Sequence, residues 1–181
     1  MDRKSLREFT HKADNYLQIS DKTYKQWVFR YTFLELEKDL NGIGDITSRG
    51  IFHGPRRVLG RVFAREDGVL AGRQEIEYFL RDADKNFRPS IKGDFDLNFN
   101  FADGEQFRNG DELLEIEADA CDLLPVERTV LNLLMRMSGV ATYTRKIVNM
   151  VKDFDVLITP TRKTLWGLLD KRAVCLGGGG T

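Results

Sequence analysis

The 181-residue sequence has two cysteines, two histidines and four prolines, and its 28 Lys plus Arg are balanced by 28 Asp plus Glu. Each scarcity excludes something. Cys121 and Cys175 are far apart with no metal-type spacing, and His11 and His53 have no Cys or His partner at ligand spacing. No protein-only metal site is expected, and the cysteine usage fits a reducing cytosol. A net charge of zero gives no global basic surface for nucleic acid or anionic lipid, so any anion recognition must be local. The N-terminus leads into no apolar signal region, and no apolar run approaches membrane-spanning length. A cytoplasmic chain with no nucleic-acid or membrane partner is the expectation. There are no internal repeats, no Ser-His-Asp arrangement that can be placed, no Walker-type lysine and no dinucleotide fingerprint.

What is present is enough for a core. Hydrophobic residues make up 41% and charged residues 31%, which suits one large domain or two small ones. Ser5–Ile19 reads as a weak amphipathic helix. From Asp21, the residues Tyr24, Trp27, Val28, Tyr31, Leu34 and Leu36 recur at roughly helical spacing, until Asn41-Gly42 and Gly44 close the helix. Asp45 or Thr47 can cap the next element. The segment from Arg57 to Glu66 alternates as a half-buried strand ended by Asp67-Gly68, and Glu75–Leu80 returns to helical spacing. Asp94, Asp96, Asn98 and Asn100 alternate with Phe95, Leu97, Phe99 and Phe101, a strand with one wet face. Turns at 102–104 and 109–111 bracket the next step, and Glu112–Ala118 forms a further strand. The carboxylates of Glu112, Glu115, Glu117 and Asp119 fall mostly on its solvated face.

At Pro125 the character changes. Pro suits the first turn of a helix, and Val130, Leu131, Leu134, Met137, Val140 and Ala141 carry that helix to about Val151. Arg128 in this first turn opposes the helix dipole, so it is either simply exposed or kept to meet an anion. Asp155–Ile158 and Ala173–Leu176 then read as two parallel strands, one ending in Thr161-Arg162-Lys163-Thr164 and the other in Gly177–Gly180. A cationic strand end beside a glycine-rich one suits an anion. The glycine run could wrap a phosphate with backbone N–H groups, or it could be a flexible tail. The predicted organisation is an α+β N-terminal sandwich domain with leading helices over 1–124, followed by the first part of an α/β barrel over 125–181.

An ordered set of short motifs resembles one family. Gly44–Ser48, Ala64–Gly72, Asn109–Leu114, Glu127–Asn132, Ser138–Thr142, Thr161–Thr164, Gly167-Leu168, Lys171 with Ala173-Val174, and Gly177–Gly179 come in the same order as in the quinolinate phosphoribosyltransferases (nicotinate-nucleotide pyrophosphorylase, carboxylating). The resemblance implies an N-terminal sandwich, an α/β barrel, and a homodimer in which one subunit's N-terminal region covers the other's barrel mouth. It implies transfer of phosphoribosyl from phosphoribosyl pyrophosphate to quinolinate with Mg²⁺, giving nicotinate mononucleotide, pyrophosphate and CO₂ in NAD biosynthesis. The Mg²⁺ ligands are not expected in this chain. Carried over by motif, Thr161, Arg162, Lys163 and Lys171 bind substrate, Lys163 is the catalytic cation, and Arg128 reaches the partner's site.

The resemblance has two departures. Trp166 stands where the family has Pro before Gly167, in a shortened segment, which points to a divergent subgroup; a related branch associated with molybdenum transport shares the pattern. The family's later His-Arg pair, further lysine, acidic residues and phosphate loops are not among these 181 residues. A closed barrel takes on the order of 250 residues by itself. The chain is therefore expected to be a fragment, a truncated product or part of a larger entity, inactive alone or dependent on a complementing piece. The competing readings are a non-catalytic dimerising or regulatory fragment, and an anion-binding module outside the family.

Overall fold

The computed structural model describes residue 11 and residues 17–82 and 93–181. The helix expected over Ser5–Ile19 lies largely outside the described residues, although Leu17 is fully buried. Helix α1 spans Lys22–Leu40, with Asp21 as its cap accepting the Tyr24 N–H. It buries Tyr24, Val28, Thr32 and Leu36, a face at helical spacing that matches the sequence pattern. Asn41 ends it in the left-handed conformation. Asp45 then caps the short helix α2, Ile46–Ile51, by accepting the Ser48 N–H.

Strand β1 (Arg57–Phe63) pairs antiparallel with β5 (Glu112–Asp119), which pairs on its other side with β3 (Asp96–Phe99). The sheet order is therefore β1-β5-β3. Gly60 and Leu97 both stand opposite Ile116, so Leu114, Ile116 and Ala118 form a buried central row. The period of two over 94–101 is realised, with Phe95 and Phe99 buried and their neighbours exposed. On the wet face Arg57 bridges Asp96 and Glu117, and Arg61 bridges Glu112 and Glu115. The β5 carboxylates thus join a cross-strand charge ladder.

Two short strands, β2 (Gly68–Val69) and β4 (Gln106–Phe107), form a second antiparallel pair. Helix α3 (Arg73–Glu77) comes after β2 and runs on as one π-helical stretch, Tyr78–Asp82.

Helix α4 covers Ala120–Met150 and begins five residues before the predicted start at Pro125. Strand β5 passes into it without a loop because Asp119 serves both elements. One carboxylate oxygen accepts the Cys121 N–H and the other accepts the Arg56 N–H. Pro125 removes one helical N–H, but it is buried with Leu123 and Val126 in the face that meets the sheet. Arg128 therefore lies in the helix interior, beyond the turn where a cation would oppose the dipole.

The two strands expected after α4 do not form. Residues 152–167 contain no strand, and Ala173–Leu176 is the second half of helix α5, Leu168–Leu176. A short apolar run does not by itself distinguish strand from helix. Here Leu169, Ala173 and Val174 are buried at helical spacing. Among the described residues Asp155–Ile158 has no neighbouring strand, and Val156 is half exposed. Among the described residues there is no closed barrel.

Candidate substrate-binding site

Helix α4 is the post on which the predicted motifs hang. Ser138 Oγ accepts the Ala71 N–H at 3.1 Å and donates to the Ala71 carbonyl at 3.2 Å, while Thr142 Oγ1 accepts the Val69 N–H at 2.9 Å. The Ser138–Thr142 motif thus staples the Val69–Ala71 segment to the helix. One turn further on, Gly177 packs against the Ala141 carbonyl and Thr144, where a Cβ would lie 2.5 Å from that oxygen. Arg145 donates from Nε to the Gly177 carbonyl at 2.8 Å and from its terminal nitrogen to the Leu176 carbonyl at 3.2 Å. A guanidinium on the last carbonyls of α5 satisfies both hydrogen bonding and the negative end of the helix.

That arrangement corrects the phosphate-loop reading of Gly177–Gly180. All four N–H groups are used within the chain, by Ala173, Cys175, Val174 and Ile158 carbonyls in turn. Gly178 at φ +94° closes a Schellman ending of α5. A helix C-terminus with no free N–H does not cradle an anion.

The glycine run nevertheless reaches the cationic stretch. Gly180 N–H donates to the Ile158 carbonyl at 2.8 Å, which anchors the upstream side of residues 159–163. Downstream, Thr164 Oγ1 donates to the Gly167 carbonyl and the Trp166 N–H donates to Asp170 Oδ2 at 3.1 Å. Between these anchors Thr161, Arg162 and Lys163 are exposed. Thr161 Oγ1 accepts the Lys163 N–H at 3.1 Å, and neither cationic side chain has an ion-pair partner among the described residues. Two adjacent cations held forward and unneutralised can take up a carboxylate or phosphate, Arg by a planar fork and Lys as a movable charge.

The remaining predicted residues divide. Lys171 lies half-buried on α5, eight residues beyond Lys163. Arg128 pairs instead with Asp39 at the end of α1, at 2.9 Å. It sits eight residues before Arg136 on α4, about 12 Å along the axis. Sequence reasoning missed Arg136, Arg145 and Asp170. Asp170 had a signal, an acid three residues after the Gly167 cap, where it favours the helix start. The two arginines had none, since a cation on a long helix is ordinarily a solvated position.

A separate buried cluster lies between α1, α3 and α5. Glu75, fully buried, accepts from Tyr24 Oη at 2.5 Å and from Gln74 Nε2 at 3.0 Å. Its second oxygen and the Arg172 Nε are buried without partners. Asp103, nearby, accepts the N–H groups of Gly72, Arg73 and Gln74 and so supplies the cap that Gly72 lacks. Burial first, then the Asp103 charge, pushes the Glu75 carboxyl up to about 7. Burial and Glu75 push the Tyr24 phenol well above its usual value.

The structure is thus an α+β sandwich stapled to one long helix, with an exposed cation pair beyond it. Residues 45–138 match the family described as quinolinate phosphoribosyl transferase, N-terminal domain, and the chain belongs to that family. It is 39% identical over 144 residues to a probable nicotinate-nucleotide pyrophosphorylase [carboxylating] of Methanothermobacter thermautotrophicus, covering 77% of this chain and 48% of that protein. A counterpart of Bacillus subtilis is 36% identical over 155 residues, at 81% and 50% coverage. The solved nicotinate-nucleotide pyrophosphorylase of Ehrlichia chaffeensis superposes with a TM-score of 0.70 at 32% identity, covering 86% of this chain and 53% of that one. That of Francisella tularensis gives 0.72 at 26% identity, with 91% and 56% covered. The chain spans about half the length of these relatives.

Proposed function

We propose that this chain carries the acid-binding part of a quinolinate phosphoribosyltransferase, which joins quinolinate to phosphoribosyl pyrophosphate and releases CO₂ and pyrophosphate. The observation that carries the reading is the exposed, unpaired Arg162–Lys163 pair on a doubly anchored tip, in a member of this family. Arg162 with Thr161 takes the carboxylates of the dianionic substrate. Lys163, against the reacting end, stabilises the charge that moves as the ribosyl cation forms and the pyrophosphate departs. Lys171 adds charge from the first turn of α5.

Arg128, 70% exposed at its side chain, is suited to reach the site of a second copy. A homodimer is supported by apolar side chains left exposed along β1 and α4, among them Leu59, Phe63, Leu124 and Met135. A groove of about 530 Å³ runs between these two elements. No group of three or more His, Cys, Asp or Glu side chains suited to a metal occurs among the described residues. Mg²⁺ usually takes one or two carboxylates together with substrate phosphates, and it is proposed to come with the phosphates of the second substrate. The division into residues 1–124 and 125–181 is part of the proposal, with α4 crossing it. So is a cytoplasmic location; no helix among the described residues is long and apolar enough to cross a membrane.

Calorimetric titration of quinolinate into the protein tests the reading, with nicotinate, a monocarboxylate, as the comparison. Quinolinate binding that exceeds nicotinate binding and disappears in Arg162→Ala is expected. Equal affinity for both acids, or full binding by the variant, would overturn it.

A further inference from the structure

The sequence has two tryptophans, and both stand at one junction just behind the cationic tip. Trp166 lies three residues beyond the tip. Its ring lies 4.2 Å, centroid to centroid, from that of Tyr31 on α1, and 5.8 Å from the Arg136 guanidinium on α4. Arg136 makes two parallel hydrogen bonds of 3.0 Å to the carboxylate of Asp170 on α5, which itself accepts the Trp166 N–H. Trp27, one turn before Tyr31, closes the arrangement. Gly167 stands against its ring so tightly that a Cβ would lie 2.5 Å away, and the glycine adopts φ +56°.

Three helices thus send one aromatic and one cation to the Trp166 indole and one anion to its backbone N–H, and each contact restrains a different freedom. The Tyr31 face fixes the ring plane, the Arg136 charge favours that plane's π-face, and the Asp170 bond fixes the backbone at residue 166. Asp170 is only 5% exposed while the Arg136 side chain is 37% exposed, so the fork is partly shielded and geometrically specific. The tip itself has one internal side-chain bond, from the Lys163 N–H to Thr161. Its direction must come from its two ends, and the downstream end is Trp166.

We propose that Trp166, clamped by Tyr31, Arg136 and Asp170, is the positioning residue of the Thr161–Lys163 tip and sets its affinity for a dicarboxylate without touching the ligand. The inference rests on the binding role proposed above for Arg162 and Lys163. Binding cations gain most when their geometry is set before the ligand arrives, and here the indole transmits the rigidity of three helices to them.

The test has two arms in the same protein. Backbone ¹⁵N order parameters are measured for residues 161–164 without ligand in the wild type, Trp166→Ala and Trp166→Phe. Each is then titrated with quinolinate, with the α4 amides as the reference for global integrity. Trp166→Ala is expected to lower the order parameters of 161–164 while leaving α4 unchanged, and to weaken quinolinate binding about tenfold. Trp166→Phe, which keeps a ring on Tyr31, is expected to restore most of both. Unchanged order in Trp166→Ala overturns the proposal, as does a loosened tip with undiminished affinity, or loosening that spreads equally through α4. If the wild type binds no quinolinate while Trp166→Ala still loosens only the tip, positioning is supported and the acid assigned to the tip is wrong.

Discussion

Glu75 carries a carboxylate into the core with one oxygen unpaired, and the cost is pH-dependent. Its neighbours from every packed element are Tyr24, Gln74, Asp103 and Arg172. The folded value of about 7 stands above the ordinary 4.5, so the folded state favours the proton. The stability this gives is fully present below pH 4.5 and is lost as pH rises through about 7. The difference across that window is on the order of 3 kcal/mol. Glu75→Gln keeps an acceptor for Tyr24 and removes the ionisation. Denaturant midpoints at about pH 4 and about pH 8, on either side of that window, are expected to differ less in Glu75→Gln than in the wild type. The variant should be the more stable of the two on the alkaline side. A variant with the wild-type pH slope would place the titration elsewhere.

The elements divide between those legible in the sequence and those that depended on neighbours. The spacing of Tyr24, Val28 and Leu36 announced α1, Asp45 announced α2 because a side-chain cap is local, and residues 94–101 announced β3 because a half-wet strand writes its period into the chain. The start of α4 was hidden. Pro125 is a strong local signal for a first turn, but Asp119 had already capped the helix while also holding Arg56 across the sheet, a contact 63 residues away in sequence. Ala173–Leu176 was ambiguous for the opposite reason. Four apolar residues suit either state, and the Arg145 cap with the α4 surface under Gly177 selected the helix.

At this scale the staple is the sharpest mutational target. Ser138→Ala strands both groups of Ala71 in a buried site and is expected to cost about 1–3 kcal/mol by denaturant unfolding. Gly167→Ala meets both a positive φ and the Trp27 ring, and should lower the melting temperature more than an exposed Gly50→Ala, which meets nothing.

For the molecule as a whole, the candidate site is a half-site whose parts the sequence named better than it arranged. Arg162 and Lys163 were legible as adjacent cations between the hydroxyls of Thr161 and Thr164. Their presentation was not, because it depends on Trp166, Arg136 and the Ile158–Gly180 bond, contacts between distant segments. Arg128 illustrates the same limit. Its apparent conflict with a helix dipole vanished once α4 began at Ala120, and what remains is an exposed arginine resting on Asp39. An exposed pair of this kind contributes little to stability, at most about 1 kcal/mol. Arg128→Ala should therefore leave the unfolding midpoint nearly unchanged while weakening quinolinate binding in the proposed dimer. Calorimetry above and below the dimer dissociation concentration, found by sedimentation, checks it. An equal loss of affinity in the monomer would contradict the cross-subunit role.

The most direct measurement of the central claim is where quinolinate lands on the folded chain. In an ¹H–¹⁵N titration, saturable shifts are expected at Thr161–Thr164 and the Trp166 indole, with the α3 and β5 amides unmoved. Shifts centred on the β1–α4 groove, or on no residue of the tip, would contradict it.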